Sequence, residues 1–401
     1  MKNKKNWLLL LGLILFSANL RTPITAVGSL VSYIGADLNL SSAVSGFITT
    51  IPLVAFAVVS FFVGRMSKRL GMERTMFYGM LLILGGEILR SYTGAIGLFA
   101  GTAIMGCGIA VGNVLIPGMI KWKFPTKIGL LTAIYTTAMA VFSGIGSGFS
   151  VPLAESLGSW RHSLCFWAIF AILAIVVWLP QITKKNTQSS GPAGHPSGKD
   201  KSVYKSPLSW SIALMLGLQS FLFYAYVAWL PTIAQSRGMS AEAGGYIGLI
   251  FQYISLPSSF IIPILAGRAK NQKGLVIVSY AFHMVGLLGF LFGQGDIMLY
   301  ASTVFSGLAA GATMALAMTI IGLRAANPRQ AAELSGMSQS IGYGIAAFSP
   351  MLIGAIYDAT ASWTIPLILL LVAGLAAGIF GLKSGENRHL FPEDDQIKEA
   401  S

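Results

Sequence analysis

Apolar runs of about 20 residues recur along this chain, each long enough to cross a hydrocarbon core of ~30 Å. Twelve are placed near residues 7–33, 43–64, 75–95, 97–120, 128–152, 161–180, 208–230, 245–266, 274–293, 297–322, 336–357 and 363–383. In lipid every backbone N–H and C=O must be satisfied internally, so runs of this length and number specify helices. The expected fold class is an all-α membrane protein with twelve transmembrane helices. Composition agrees, with 54% hydrophobic and 10% charged residues against about 25% charged in soluble domains.

Basic residues set the expected orientation. Starting the chain in the cytoplasm puts Lys2, Lys4 and Lys5, the Arg65 to Arg74 loop, Lys121 to Lys127, the Lys184 to Lys205 stretch, Arg268 to Lys273, Arg324 and Arg329, and the C-terminal Lys and Arg on the inner side. Arg161 and Arg237 fall outside, while Arg21 and Arg90 fall within spans. The positive-inside rule then holds at every loop, with both termini cytoplasmic in a bacterial-type inner or plasma membrane. A formal charge of +13, spread over the inner loops in this way, does not imply nucleic acid as a partner. Trp7, Trp122, Trp160, Trp178, Trp210, Trp229 and Trp363 fall at span ends, where indoles anchor at the interface; Trp167 lies inside a span. The basic and apolar N-terminus has the outline of a signal peptide. It is read as the first span, because it has a counterpart in the second half.

Residues 181–207 are rich in Ser, Gly, Pro and Lys and cannot bury a core. They are read as a cytoplasmic linker between a six-helix bundle at 1–180 and another at 208–383, with a cytoplasmic tail at 384–401. A shift of about 200 residues relates the halves: Leu20-Arg21-Thr22 aligns with Leu218-Gln219-Ser220, Gly64-Arg65 with Gly267-Arg268, Gly106 with Gly307, and Ser159-Trp160 with Ser362-Trp363. The nearly constant offset makes the bundles pseudo-symmetric, an arrangement known in carriers that bind substrate near the bilayer midplane.

After the second span the chain reads Gly64-Arg65-Met66-Ser67-Lys68-Arg69-Leu70-Gly71. Further signatures are Leu20-Arg21-Thr22, Gly71-Met72-Glu73-Arg74, the run from Gly112 to Lys121, Trp229-Leu230-Pro231, Leu334 to Gln339 with Gly342-Tyr343, Asp358, and Ser362-Trp363. Together they resemble the major facilitator superfamily, and within it the cyanate porter branch of cyanate and 2-nitroimidazole transporters. The resemblance covers essentially the whole chain and implies the fold of that superfamily. In its loop motif an Asp stands where this chain has Lys68, and that Asp holds the inward gate shut. The resemblance also makes Gly144 to Gly148 and Pro152 a degenerate Gly/Pro-rich motif that serves bending and close approach.

Depth and helix face select candidate substrate contacts. Arg21 has no Asp or Glu at a comparable depth in another run, and such intramembrane cations mark pathways. Asn19, Arg21 and Thr22 are central in the first span; Gln219 is at the midpoint of the seventh, with Phe223 one turn on. Arg21 and Gln219 are expected to face each other across the pseudo-symmetry axis. Asn113, Tyr135, Gln252, Gln339 and Tyr343 lie within about two turns of the midplane. One guanidinium with amides and phenols suits a small planar anion or a polar heteroaromatic solute. Each residue also has a structural reading. Arg21 can bind backbone carbonyls near Pro23 or reach Glu87, and Gln219, Gln252 and Gln339 can join helices to one another. Glu87 and Arg90, spaced i, i+3, form either a local ion pair or a coupling element; Arg69 and Asp358 complete the gating and coupling candidates, and His283 is a further titratable one.

His162, His195, His283 and His389 make no metal or nucleophile constellation, and no phosphate loop is present. No enzyme activity, metal or cofactor is expected, and Cys107 and Cys165 read as packing residues. The expected partners are a small-molecule substrate, a coupled proton or counter-ion, and the lipid bilayer, with the chain a monomer. The leading function is secondary active transport by alternating access. Efflux of a drug-like nitroheteroaromatic is the alternative, and a membrane sensor that binds without moving its ligand is the competitor from another class.

Overall fold

The computed structural model describes residues 2–40, 42–182 and 202–391, which are helical almost throughout and among which no strand occurs. The helices are α1 (Lys2–Asn19), α2 (Thr22–Leu38), α3 (Ser42–Leu70), α4 (Met72–Tyr92), α5 (Gly94–Lys123), α6 (Ile128–Ser156), α7 (Trp160–Phe166), α8 (Ala168–Ile182), α9 (Pro207–Ser236), α10 (Ala241–Arg268), α11 (Lys273–Phe292), α12 (Gly295–Arg324), α13 (Pro328–Ala347), α14 (Ser349–Thr360) and α15 (Thr364–Ser384). Most of the expected linker, and the tail beyond residue 391, fall outside the described residues.

Among the described residues, eleven helical segments are long and apolar enough to cross a membrane. The remaining expected span is α4, a helix of 21 residues whose hydropathy is diluted by Glu73, Arg74, Glu87 and Arg90. Three expected spans are broken rather than continuous. The first divides between α1 and α2, the sixth at Trp167 between α7 and α8, and the eleventh at Phe348 between α13 and α14. The first break follows from Pro23 in the opening turn of α2: proline lacks an N–H to continue a helix, and its fixed φ suits a helix start.

The chain forms two compact units. One comprises Met1–Lys123, Ile134–Asp200 and Asn327–Gly336; the other comprises Phe124–Ala133, Lys201–Ala326 and Met337–Ser401. Each has its own core, built in the first on Leu30, Ile34, Leu98, Trp160 and Leu164 and in the second on Tyr226, Phe251, Leu287, Phe290 and Trp363. Large apolar side chains such as Ile172 and Val176 on α8 and Val372 and Ile379 on α15 are exposed, as faces turned to lipid require.

Small residues bring backbones together where membrane helices have little else to drive packing. Between α4 and α5, a Cβ on Gly86 would lie 2.5 Å from the carbonyl oxygen of Gly101. The internal repeat also appears in packing. Gly106 of α5 meets Pro52 of α3, and its counterpart Gly307 of α12 meets Phe251 of α10. Gly71 makes the one-residue joint between α3 and α4 at φ 85°, a conformation open to glycine at little cost.

The tryptophan expectation needs correction at three positions. Trp160, Trp178 and Trp363 are buried although they sit near span ends. Trp178 donates from Nε1 to the Glu73 carbonyl at 2.9 Å, and a buried indole with a satisfied N–H is a packing residue as much as an anchor.

Candidate functional site

In the first unit the candidate site is organised by the break in the first span. Asn19 ends α1, Arg21 stands in the gap at φ −128° and ψ −40°, and Thr22 begins α2. Asn19 and Thr22 are buried and Arg21 is half-buried. The break is pinned by side chains. Asn19 Nδ2 donates to the Leu15 carbonyl at 2.8 Å, and Thr22 Oγ1 is 2.7 Å from the Ala18 carbonyl and 3.1 Å from that of Phe142 on α6. Thr25 Oγ1 lies 2.9 Å from the Ser143 carbonyl, and Ser29 Oγ donates to the Ser147 carbonyl at 2.8 Å. Thr22, Thr25 and Ser29 therefore form a polar seam against the Gly-rich stretch of α6, and Asn19 Oδ1 is buried with no hydrogen-bond partner among the described residues. The positive end of the α2 dipole and the Arg21 guanidinium both favour negative charge here.

Asn113 on α5 and Tyr135 on α6 are buried in the same unit, and the Asn113 carbonyl accepts from Ser335 Oγ at 3.4 Å. Glu87 and Arg90 are fully buried on α4, with Arg90 Nη2 4.0 Å from Glu87 Oε1. Arg90 Nη1 donates to the Pro23 carbonyl at 2.8 Å. Arg90 therefore secures the opening turn of α2.

In the second unit Gln219 is buried on α9 and turned toward α12. Its Nε2 donates to Ser220 Oγ and to Met314 Sδ, each at 3.0 Å, and its Oε1 accepts from Thr313 Oγ1 at 3.5 Å. His283 Nε2 lies 3.4 Å from Thr313 Oγ1 and His283 Nδ1 lies 3.5 Å from Tyr226 OH, with the two rings stacked at 9°. Gln219, Thr313, His283 and Tyr226 thus form a buried chain that joins α9, α11 and α12. Sequence reasoning singled out Gln219 and His283 and missed Thr313 and Tyr226, whose residue types carry no signal on their own. Phe223 is half-buried beside Phe251 with ring centroids 5.9 Å apart. Gln339 and Tyr343 are buried on α13, which approaches α9 closely where Gly342 meets Gly217. Gln252 is exposed on α10, as are Arg69 near the end of α3 and Asp358 near the end of α14.

Lys68 forms an ion pair with Glu333, to which Arg329 Nε also approaches within 3.4 Å. The position at which the resembled family carries an acid is basic here and has an acidic partner. Glu333 was missed from sequence, although a lone Lys in that motif is a signal that an acid is needed. At another end of the first unit, Arg161 Nη2 contacts Asp37 Oδ2 at 2.7 Å and Trp160 Nε1 donates to it at 3.2 Å. These hydrogen bonds, that of Arg161 foremost, hold the Asp37 carboxyl below its ordinary pKa. Asp37 lines an open cavity of about 550 Å³ with Tyr33, Ala154, Glu155 and Trp160, and the Tyr33 hydroxyl donates to Glu155 Oε1 at 3.2 Å.

Membrane-length helices grouped in two units, with repeated packing and polar residues at a helix break, define a multi-pass membrane protein with an internal repeat. Residues 9–296 match the model of the Major Facilitator Superfamily, and the chain belongs to that superfamily. It is 41% identical over 403 residues to the uncharacterized transporter YycB of Bacillus subtilis, covering 99% of each chain. It is 37% identical to the 2-nitroimidazole transporter of Escherichia coli, covering 97% of this chain and 98% of the other, and 23% identical to the Escherichia coli cyanate transport protein CynX over 87% and 89%. The fold is shared with the proton:xylose symporter XylE at a TM-score of 0.76 and 16% identity, covering 98% of both chains. These relatives and neighbours are transporters, and the chain is a transporter rather than an enzyme.

Proposed function

We propose that the chain is a secondary active carrier that moves a small anionic or polar heteroaromatic solute across a bacterial-type cell membrane by alternating access, with both termini cytoplasmic. The observation that carries this reading is the break in the first span, which sets Arg21 in a gap between two helices beside the N-terminus of α2. A guanidinium offers a planar fork to a carboxylate, nitro or cyanate group. Asn19, Thr22, Asn113 and Tyr135 supply the polar and aromatic surroundings in the first unit. Gln219, Phe223, Gln252, Gln339 and Tyr343 are the substrate candidates of the second. Arg69 and Asp358, both exposed near helix ends, are assigned to gating.

The similarity to a 2-nitroimidazole transporter over nearly the full chain favours a flat heteroaromatic within this class and keeps nitroheteroaromatic efflux as the second reading. The test is thermal stabilisation of the purified protein by cyanate, small carboxylates, 2-nitroimidazole and sugars, repeated with Arg21→Gln. A hydrogen bond to a charged group is worth about 1.5–3 kcal/mol, so the variant is expected to bind an anionic ligand roughly 10- to 150-fold more weakly. Equal stabilisation of both proteins would make Arg21 a structural residue and favour a neutral solute.

A further inference from the structure

Glu87 is the one carboxylate among the described residues that is buried. Neither of its oxygens has a hydrogen-bond partner among the described residues, and its charged neighbour Arg90 stands 4.0 Å away. An interior carboxylate left without donors is costly, and within membranes such groups mark proton and ion paths.

The elements around Glu87 bring no second countercharge to its depth. From Met72 to Glu87 the helix rises about 22 Å, so Arg65, Lys68 and Arg69 in the last turns of α3 belong to the opposite end of α4. The same holds for Lys121 and Lys123 on α5, of which Lys123 pairs with Glu73 at 3.2 Å; α5 also carries the half-buried thiol Cys107. Nothing charged lies on α8. On α7, Arg161 is engaged by Asp37, His162 contacts the ring of Tyr92, and Cys165 is a free thiol. Beyond its opening turn, α2 carries Tyr33 and Asp37, both exposed. Arg90 is thus the group through which a change at Glu87 is felt, and its Nη1 holds the Pro23 carbonyl at 2.8 Å, two residues beyond Arg21.

We propose that Glu87 is a proton-binding site and that Arg90 transmits its occupancy to the broken first span. A proton from water adds to a carboxylate oxygen and the same proton later leaves to water, with no other bond made or broken. With the proton bound, Arg90 loses its ionic partner and is held by the Pro23 carbonyl; with the proton released, the ion pair draws Arg90 back to α4. The helix break that carries Arg21 therefore senses the proton. This proposal rests on the carrier reading and supplies the coupling ion for it.

The experiment is an infrared pH titration of the full chain in lipid vesicles, following the carboxylic-acid C=O band, in the wild type, Glu87→Gln and Glu87→Asp. It needs no substrate. The wild type is expected to show a titrating band from a shielded carboxyl, which Glu87→Gln lacks and Glu87→Asp retains at a shifted frequency. An identical titration in Glu87→Gln, or no such band in the wild type, overturns the proposal. A second arm measures 2-nitroimidazole in proteoliposomes. Glu87→Gln is expected to lose pH-gradient-driven accumulation while keeping counterflow, and retained accumulation would overturn the coupling role. Absence of wild-type flux with a normal infrared result would count against the carrier reading for this solute and leave the proton site standing.

Discussion

Arg21 was legible in the sequence as a cation deep in an apolar run, but its setting was not. Hydropathy averages over Leu20-Arg21-Thr22 and reports one continuous span, whereas the structure interrupts the helix there. Pro23 was visible, yet a proline inside a run is compatible with either a kink or a break. The sequence offered Arg21 as a residue to hold backbone near Pro23, and the structure adds Arg90, which holds the Pro23 carbonyl. Asp37 gives a test at this scale. Its folded pKa is depressed by Arg161 and Trp160, so its contribution to stability is fully present above the ordinary carboxylate value and is lost as pH falls through the lowered one. Asp37→Asn is expected to flatten the acid limb of a melting-temperature profile by lowering the neutral plateau toward the acid value, and by only a small amount because the pair is partly exposed. An unchanged acid limb would show that Asp37 does not set it.

Between elements, the close approach of α4 and α5 depends on glycine. Gly86→Ala is expected to cost about 1–3 kcal/mol, the usual range for overpacking, because its Cβ would meet the Gly101 carbonyl at 2.5 Å. Thermal melting checks this, and a wild-type melt would mean that the helices separate at little cost. Small residues in the fourth span, Gly101 and Gly106 among them, are a signal for close packing, but a single sequence does not show which helix a small face meets. The pairing of Lys68 with Glu333 was hidden for the same reason. Sequence inspection found a base where the family has an acid; the complementary acid lies far along the chain on α13. Lys68→Glu is expected to destabilise the protein by under about 1 kcal/mol, as for other partly exposed pairs. The double variant Lys68→Glu with Glu333→Lys should recover much of that loss. A double-mutant cycle with no coupling would reduce the contact to coincidence.

At the level of the whole molecule, membrane character, helix number and the internal repeat could all be read from the sequence. Run length fixes the first two, and Gly106 and Gly307 occupy equivalent helix contacts as their offset implied. The partition into units was less visible. Phe124–Ala133 and Asn327–Gly336 group with the opposite sequence half, which a boundary drawn at a polar linker does not reveal. Substrate chemistry was the least legible, because amides and phenols that could hold a solute can equally join helices. Gln219 does so in this structure through Ser220, Thr313 and Met314. The most direct test of the account is flux of labelled 2-nitroimidazole and of a small aromatic carboxylate into proteoliposomes holding the purified chain. Saturable, protein-dependent flux of at least one solute, reduced by Arg21→Gln, is the expected result. Saturable binding of these solutes with no flux above that of empty vesicles would contradict it.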